Sequence, residues 1–348
     1  MRRGVPRPPF AAVLLVLLAA LVLIGIVAIG IGAVSIPPLR VAGLLVEAFH
    51  APWSGRDADP ELVILMAIRV PRVLIAGLVG AALAVAGTQM QGLFQNPMAS
   101  PDVIGTSTGA ALGAVLAFVL GLAQSHMMWV PALSCLGAVL SLAVVYALTT
   151  RRGRTPVAML LLAGVALNAL LGAATAFVIT LQWVRYEVAQ EVLFWLMGGL
   201  EDRTWTHVWM AAPLVAVGLA AAAALARDLD LFTTGEDAAA TLGLDVERAK
   251  QRVLAVAAIL TGTAVAVCGV IGFVGLIVPH ALRLVVGPSH RRLVPAAAMA
   301  GAIFVIAADL VARTALAPAE IRLGVVTGLC GAPFFLWLLG RYRREVGA

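Results

Sequence analysis

Lysine is almost absent from this chain of 348 residues: 24 residues are Lys or Arg, and only Lys250, in the local sequence RAKQ, is a lysine. A Walker A motif, GxxxxGK[ST], needs a lysine that reaches the bound phosphates, and no such motif is present. The chain is therefore not itself a P-loop ATPase. Charged residues of both signs make up only 12% of the sequence, against about a quarter in soluble proteins.

Motifs for metal binding and nucleophilic catalysis are missing as well. The five histidines are scattered, with no HExxH and no pair spaced i, i+4. Cys135, Cys268 and Cys330 each lie within an apolar run and form no CxxC, so they are most simply packing residues. The sequence thus indicates no enzyme, no metal site and no other cofactor bound by this chain.

Long apolar runs dominate what is present, since 62% of the residues are hydrophobic. A run of about 20 apolar residues is long enough to cross the hydrocarbon core of a bilayer. The run 11–34 follows three arginines like a signal peptide, but it is too long for one and is interpreted as a retained helix. The sequence predicts an all-α polytopic membrane protein, a single transmembrane domain over residues 1–348 with about ten segments: 11–34, 62–86, 103–122, 127–149, 157–180, 207–226, 252–271, 276–287, 293–312 and 323–340. The third and eighth segments are short or interrupted and are possible partial spans.

Basic residues cluster in the connections that fall on one side of these segments. Sixteen of the 24 fall at the N-terminus, in RRGR at 151–154, in 227–252, in 283–292 and in the C-terminal tail. The positive-inside rule places these regions in the cytoplasm, with both termini inside. The net charge of +6 reflects this placement and does not indicate nucleic-acid binding.

The polar stretch from Asp228 to Arg252 is predicted to form a cytoplasmic elbow of two short helices, assigned to 228–250. Capping boxes are expected to start at Thr233 and Thr234, with Glu236 and Asp237 as their acidic partners. Gly243 is placed to end the first helix, and Asp245 to cap the next. The alternative is a solvated loop with well-capped ends. A second stretch, 182–206, is amphipathic and rich in Trp, and predicts a short helix in the outer interface, where Trp is common whether or not it meets substrate.

The two halves of the chain echo each other. Arg-Val-Leu at 72–74 is followed by Gly92 and Pro97, and the same tripeptide at 252–254 by Gly272 and Pro279. With ten spans these copies run in opposite directions, as in an inverted-topology repeat with a pathway near the repeat interface. A ladder of small residues at Gly105, Gly109 and Gly113 predicts close helix packing.

Few charges lie within the spans. Asp309 and Arg313, spaced i, i+4, could pair with each other. Arg69 and Arg72 near the outer end of the second span either anchor it at the interface or form a basic rim that docks an acidic soluble protein. Because Asp309 is the only acid well inside a span, a proton relay is hard to build, which disfavours an ion-coupled secondary transporter, the alternative from a different class.

Five blocks of the sequence, covering nearly the whole chain in the same order, strongly resemble the FecCD-type permeases of ABC importers, which take up iron–siderophores, haem and cobalamin. The blocks are RVPRVLIAGLVGAALAVAGTQMQGLFQNPMASPDVIGTSTGAALGAVLA (69–117), LLLAGVALN (160–168), FWLMGGL (194–200), GVIGFVGLIVPHALRLVVGPSHRRLVP (269–295) and ADLVARTALAPAEIRLGVVTGLCGAPFFLWLL (308–339). The resemblance implies a type II importer in the bacterial inner membrane: a homodimeric permease, two ATPase subunits that bind ATP and Mg²⁺, and a periplasmic substrate-binding protein.

The same resemblance implies roles for individual residues. The residues that match the ATPase-coupling block are Gly235, Glu236, Ala239, Leu242 and Gly243. The residues that match the outer arginines meeting the binding protein are Arg69, Arg72 and Arg313. The residues that match the cytoplasmic gate are Asn96, Pro97 and Met98, with Thr155 near a second gate element where a hydroxyl-rich pair is reduced to one residue.

Substrate identity is where the chain departs from the family pattern. Many members carry Leu-Arg shortly before the FW of the outer helix, where this chain has Ala189 and Gln190, and Arg185 could replace that charge. Residues implied to line the pathway are Asn168, Arg185, Trp195 and Met197. A cation near the vestibule suits an anionic ligand, so we expect an iron chelate, siderophore or haem, with cobalamin as the alternative.

Overall fold

The computed structural model describes residues 8–32, 36–48, 59–126, 128–181 and 186–346, and this part of the chain is helical, without a β-strand. Its helices are α1 (Phe10–Gly30), α2 (Pro38–Glu47), α3 (Pro60–Ile64), α4 (Val70–Leu93), α5 (Thr106–Val119), α6 (Leu122–Ser125), α7 (Trp129–Thr149), α8 (Val157–Leu181), α9 (Tyr186–Leu196), α10 (Trp205–Ala224), α11 (Ala226–Phe232), α12 (Glu236–Thr241), α13 (Val246–Cys268), α14 (Val274–Val286), α15 (His290–Thr314) and α16 (Leu323–Val346). A π-helical turn joins α3 to α4, and a 3₁₀ turn precedes α5.

Ten apolar helical segments among the described residues confirm the predicted polytopic fold. Seven are long enough to cross a bilayer, and three are shorter: Thr106–Val119, Val274–Val286 and Leu323–Trp337. The third and eighth predicted segments are therefore short, as expected. Each is shortened by an irregular entry, since the 3₁₀ turn Pro101–Ile104 leads into α5 and a left-handed Phe273 (φ 69°) leads into α14.

Helix α4 lies at the centre of the fold, buried along almost its whole length between α10, α13, α14 and α15. Small residues allow this close packing. A Cβ added at Gly80 would lie 2.1 Å from the carbonyl oxygen of Gly301 in α15, and one added at Gly87 would lie 1.8 Å from that of Gly275 in α14. The helix backbones thus touch where no side chain intervenes, as is common between membrane helices.

Helices α5, α7 and α8 form a second group packed against α13. Here Gly109 faces the backbone of Gly137, and a Cβ at Gly113 would lie 2.0 Å from the carbonyl oxygen of Leu133. The packing role predicted for the glycine ladder is confirmed at these two positions.

The order of helix lengths supports the predicted repeat. In the first half, the long segment Pro60–Leu93 is followed by the short α5 and the long α7 and α8. In the second half, α13 is followed by the short α14, the long α15 and then α16, whose apolar part Leu323–Trp337 is shorter than its counterpart α8. The opposite orientation of the two halves in a membrane stays a prediction.

The outer stretch predicted over 182–206 is a helix only in its middle. Helix α9 ends at Leu196, and the chain turns through Gly198 (φ 71°) before α10 begins at Trp205. Residues 182–185 lie outside the described residues. The turn at Gly198 also brings this segment against α16, because its carbonyl accepts the N–H of Leu323 at 3.0 Å.

Candidate functional site

The predicted elbow consists of α11, α12 and the first turn of α13. Gly235 (φ 98°) precedes α12 and Gly243 (φ 88°) follows it, both in the left-handed region that disfavours a Cβ. Behind α12, the N–H of Leu244 bonds the carbonyl of Ala239 at 3.1 Å and the N–H of Gly243 bonds that of Ala240 at 3.0 Å. These two bonds define a Schellman motif, so Gly243 ends the helix as predicted.

The two capping boxes predicted to start at Thr233 and Thr234 are wrong. Both hydroxyls donate instead to carbonyls near the end of α11, those of Asp230 at 2.6 Å and Leu231 at 2.8 Å. Helix α12 begins after Gly235, which has no side chain to cap it. The hydroxyls donate to orphan carbonyls of the preceding helix, and the N-cap position of α12 falls on Gly235 instead of on either threonine.

The elbow presents one large apolar side chain to its surroundings. Leu242 is 63% exposed at the end of α12, while Ala239 on the same short helix is fully buried. Asp245 caps α13 as predicted, accepting the N–H of Arg248 at 3.1 Å. A short helix held at both ends therefore exposes a leucine at its C-terminal end.

Helix α11 is tied to the start of α15. The Asp230 carboxylate accepts the backbone N–H of His290 at 2.6 Å and the hydroxyl of Ser289 at 3.0 Å, and His290 Nδ1 lies 2.9 Å from the same carboxylate. An acidic side chain at a helix N-terminus satisfies free amides and the helix dipole. Helix α11, the first helix of the elbow, is thereby fixed to the long apolar helix α15.

The predicted gate loop lies directly beside the elbow. The Gln95 side-chain amide donates to the carbonyl of Phe232, at the end of α11. Asn96 Oδ1 accepts the N–H of Met98 at 2.9 Å and folds a tight turn around Pro97. A cavity of about 430 Å³, lined among others by Pro97, opens next to this loop. The structure therefore brings the elbow and the residues 95–98 together.

Thr155, the candidate for the second gate element, is fully buried beside α12. Its hydroxyl lies 2.9 Å from that of Thr150. Its backbone N–H donates to Glu247 Oε1 at 3.1 Å, and its carbonyl accepts Lys250 Nζ at 2.9 Å. Sequence reasoning noted Lys250 only as the chain's sole lysine and missed this role, because Thr155 is 95 residues away.

The three predicted docking arginines point inward. Arg69 is 6% exposed and donates to the carbonyls of Ile29 and Gly30, both at 2.9 Å. Arg313, 7% exposed, donates to the carbonyl of Ile31 at 2.7 Å, so both arginines cap the end of α1. A guanidinium that satisfies terminal carbonyls stabilises the helix end. Binding-protein docking by these residues stays a prediction.

Arg72 lies between two carboxylates. Its Nη2 is 2.9 Å from Asp309 Oδ1 and 2.7 Å from Glu320 Oε2. The predicted Asp309–Arg313 pair is also present, at 3.5 Å, but Arg72 makes the shorter contacts. The side chain of Glu320 is 30% exposed, whereas that of Asp309 is 2% exposed. Glu320 is therefore the most exposed member of this cluster.

Of the candidate pathway residues, Asn168 has a structural role. Its amide donates to the carbonyl of Asp102 at 2.8 Å and holds the turn before α5. Trp195 packs edge-on against Phe118, with ring centroids 6.3 Å apart, and Met197 is 47% exposed. Arg185 lies outside the described residues.

A cavity of about 410 Å³ adjoins Trp195 at the predicted outer side. It is lined by Glu191, Glu201 and Arg203 among others. Arg203 Nε donates to the carbonyl of Val267 at 2.6 Å, and burial lowers the pKa of its guanidinium below the ordinary value. In the part of the chain that the structure describes, no group of three or more His, Cys, Asp and Glu side chains could hold a metal ion.

Residues 17–341 match the profile of the FecCD transport family. This chain belongs to the FecCD transport family. It is the permease of an ABC importer and a multi-pass membrane protein. The resemblance carried by the five sequence blocks is confirmed.

Curated relatives of this FecCD permease differ in the cargo that their names state. The chain is 46% identical to the cobalamin import permease BtuC of Halobacterium salinarum, over 85% of this chain and 78% of that protein. It is 42% identical to the hemin transport permease HmuU of Yersinia pestis, over 87% and 91%. It is 38% identical to the Fe(3+) dicitrate permease FecD of Escherichia coli, over 88% and 97%.

A solved structure shares the fold. It is described as an inward-facing conformation of an ABC transporter of the metal-chelate type, and it superposes on the FecCD permease with a TM-score of 0.82 at 28% identity. The match covers 95% of this chain and 99% of that one.

Proposed function

We propose that this FecCD permease imports an iron chelate, a siderophore complex or haem, across the bacterial inner membrane, energised by separate ATPase subunits. The observation that carries the proposal is the elbow 228–250, whose short helix α12 lies between two glycines of positive φ. Phe232 and Lys250, on either side of α12, bond the two candidate gate segments at Gln95 and Thr155. ATP and Mg²⁺ bind to the partner subunits, since this chain has no phosphate-binding loop. Both termini are proposed to lie in the cytoplasm.

The pathway is proposed to lie between two copies of the chain. Helix α8 supports this, because it follows Thr155 directly and is apolar yet poorly covered, with Leu162, Leu170 and Phe177 each more than 60% exposed. In a monomer these side chains contact lipid alone. In a homodimer they form the second wall of a pathway that the gate segments close.

A periplasmic binding protein is proposed to deliver the chelate at the outer side. Arg72 is its candidate contact, because one of the two carboxylates that neutralise it, Glu320, is partly exposed. An acidic side chain of the partner can compete with Glu320 for the guanidinium, whereas Asp309 is out of reach. Charge pairing of this kind steers association.

Names of the relatives support both an iron chelate and cobalamin. We put an iron chelate first because HmuU and FecD, named for iron complexes, match along 91% and 97% of their own lengths, against 78% for BtuC. Cobalamin remains the second candidate, because the BtuC relative has the higher identity. An ion-coupled transporter is disfavoured, since Asp309, the acid that lies well inside a span, is already paired with Arg72 and Arg313.

We expect the cognate binding protein to retain haem or a ferric siderophore and the assembled complex to import it. Proteoliposomes containing the permease and its ATPase are loaded with ATP and given ⁵⁵Fe-labelled haem, ⁵⁵Fe-siderophore or ⁵⁷Co-labelled cobalamin in parallel. Saturable uptake of an iron complex supports the proposal. Uptake of cobalamin alone would contradict the iron-chelate proposal and support cobalamin as the substrate.

Replacing Gly243 with valine is expected to reduce transport per ATP hydrolysed while the protein still inserts. A β-branched residue in a left-handed conformation costs roughly 1–2 kcal/mol, so the Schellman turn shifts. The measurement compares uptake, ATP hydrolysis and membrane yield with those of Gly121→Val, which carries the same strain at φ 72° in the loop after α5. Equal behaviour of the two variants would contradict a coupling role for the elbow.

A further inference from the structure

The only lysine in the chain is one of its most deeply buried charged groups. Lys250 in α13 is 1% exposed, although it lies in the first turns of the helix beside a cavity of about 320 Å³. Its Nζ is 2.7 Å from Glu236 Oε2, 3.1 Å from Glu247 Oε1 and 2.9 Å from the carbonyl oxygen of Thr155. An ammonium group has three N–H donors, and here all three are used.

These three acceptors belong to different elements. Glu236 is the first residue of α12, Glu247 lies in the first turn of α13, and Thr155 belongs to the segment between α7 and α8. Glu247 Oε1 also accepts the N–H of Thr155, so both backbone polar groups of Thr155 are held by this pair. We call Lys250, Glu236, Glu247 and Thr155 the Lys250 clamp.

We propose that Lys250 is a positioning residue that couples displacement of α12 to the Thr155 segment at the start of α8. This inference rests on the proposed function, because it takes α12 as the element that the ATPase displaces. It adds a specific connection: one nitrogen atom joins the coupling helix to the segment at Thr155. Lys250 touches neither substrate nor nucleotide.

The chemistry of the clamp explains why loss of one member releases the others. Without the ammonium, the carboxylates of Glu236 and Glu247 face each other unneutralised and the carbonyl of buried Thr155 loses its donor. A buried acceptor without a partner carries its full desolvation cost. The Thr155 segment then opens independently of α12, and movement of the elbow no longer reaches it.

A charge-removing substitution tests the clamp on the full complex of permease and ATPase. Lys250→Met keeps the length and apolar stem of the side chain and removes its charge. Amide hydrogen exchange at 154–158 is expected to rise roughly tenfold, the opening expected when a hydrogen bond to a charged group is lost. Chelate imported per ATP hydrolysed is expected to fall by about fivefold or more, the lower end of typical coupling between sites.

Arg252→Met is the matched control. Arg252 is two residues from Lys250 on the same helix, is exposed, and lies beyond the elbow 228–250. This variant should leave both readouts unchanged. Lys250→Arg, which keeps a cation next to the cavity, should restore part of the import per ATP.

Two results overturn the proposal. Unchanged exchange at 154–158 in Lys250→Met shows that the lysine does not hold the segment. Raised exchange with unchanged import per ATP shows that the clamp only stabilises the fold. If Lys250→Met does not assemble, Glu236→Gln, at a side chain that is 41% exposed, applies the same two readouts. The hydrogen-exchange measurement does not depend on transport, so it tests the clamp separately from the proposed function. The proposed function is contradicted by a different result, import by the wild-type complex without ATP.

Discussion

Gly87→Ala is expected to destabilise the permease by about 3 kcal/mol or more, at the upper end of the usual cost of overpacking. The new Cβ would lie 1.8 Å from the carbonyl oxygen and 2.4 Å from the Cα of Gly275. These are backbone atoms of α14, which cannot rotate away as the end of a side chain can. The two helices must separate along the buried centre of the fold. The measurement is the thermal unfolding midpoint of purified protein in detergent.

Gly25→Ala is the control for this substitution. It makes the same chemical change in α1, where an added Cβ meets nothing within 4 Å. Alanine is the better helix former by up to about 1 kcal/mol, so this variant should be neutral or slightly stabilised. If Gly87→Ala unfolds at the same temperature as Gly25→Ala, the close contact between α4 and α14 is wrong.

Asp309→Asn is expected to lower the free energy of unfolding by about 3–5 kcal/mol, the range for removing one partner of a buried ion pair. Asp309 is 2% exposed and lies between the guanidinium groups of Arg72 and Arg313. Asparagine keeps the shape and removes the charge, so two largely buried cations are left with Glu320 as their remaining carboxylate partner among the described residues. The same unfolding measurement applies.

Glu320→Gln is the matched control, since it removes the other carboxylate bonded to Arg72 from a partly exposed position. A pair near the surface contributes at most about 1 kcal/mol, so the shift should be small. Adding Arg313→Gln to Asp309→Asn removes one of the two cations and should recover part of the loss. Equal shifts for Asp309→Asn and Glu320→Gln would contradict a buried outer cluster.

The membrane helices were predictable because the bilayer imposes a simple requirement: each span needs a continuous apolar run. That requirement located all ten segments, including the third and eighth, which are short. It did not locate the ends of the helices. Helix α13 begins at Val246 instead of 252, because its first two turns are polar and lie among the elbow's ion pairs. A helix can continue through polar residues, because its backbone hydrogen bonds do not require apolar side chains.

The helix-capping residues of the elbow were predicted correctly only where a residue had a single possible capping role. Gly243 and Asp245 follow the usual rules for ending and starting a helix, and both do so here. Thr233 and Thr234 had two possible uses, capping the next helix or satisfying the previous one. The second occurs because Gly235 turns the chain away before α12 begins. The sequence contains both options and does not rank them.

Contacts between distant positions could not be predicted from spacing. Asp309 and Arg313 are one turn apart, so spacing alone indicates their pairing. Arg72, which is 237 residues from Asp309, was predicted only as an interface anchor or as part of a basic docking rim. Lys250 and Thr155 present the same difficulty. Since these pairings depend on how helices pack, a single sequence indicates that a buried charge needs a partner without naming it.

Dependence of uptake on the ATPase subunit is the most direct test of the central claim that this chain is a permease energised by a separate protein. Proteoliposomes containing the permease are prepared with and without the ATPase subunit, and chelate uptake is measured in the presence of binding protein and internal ATP. We expect uptake only when both the ATPase and ATP are present. Uptake at the same rate without the ATPase, and its loss when the proton gradient is dissipated, would contradict the account.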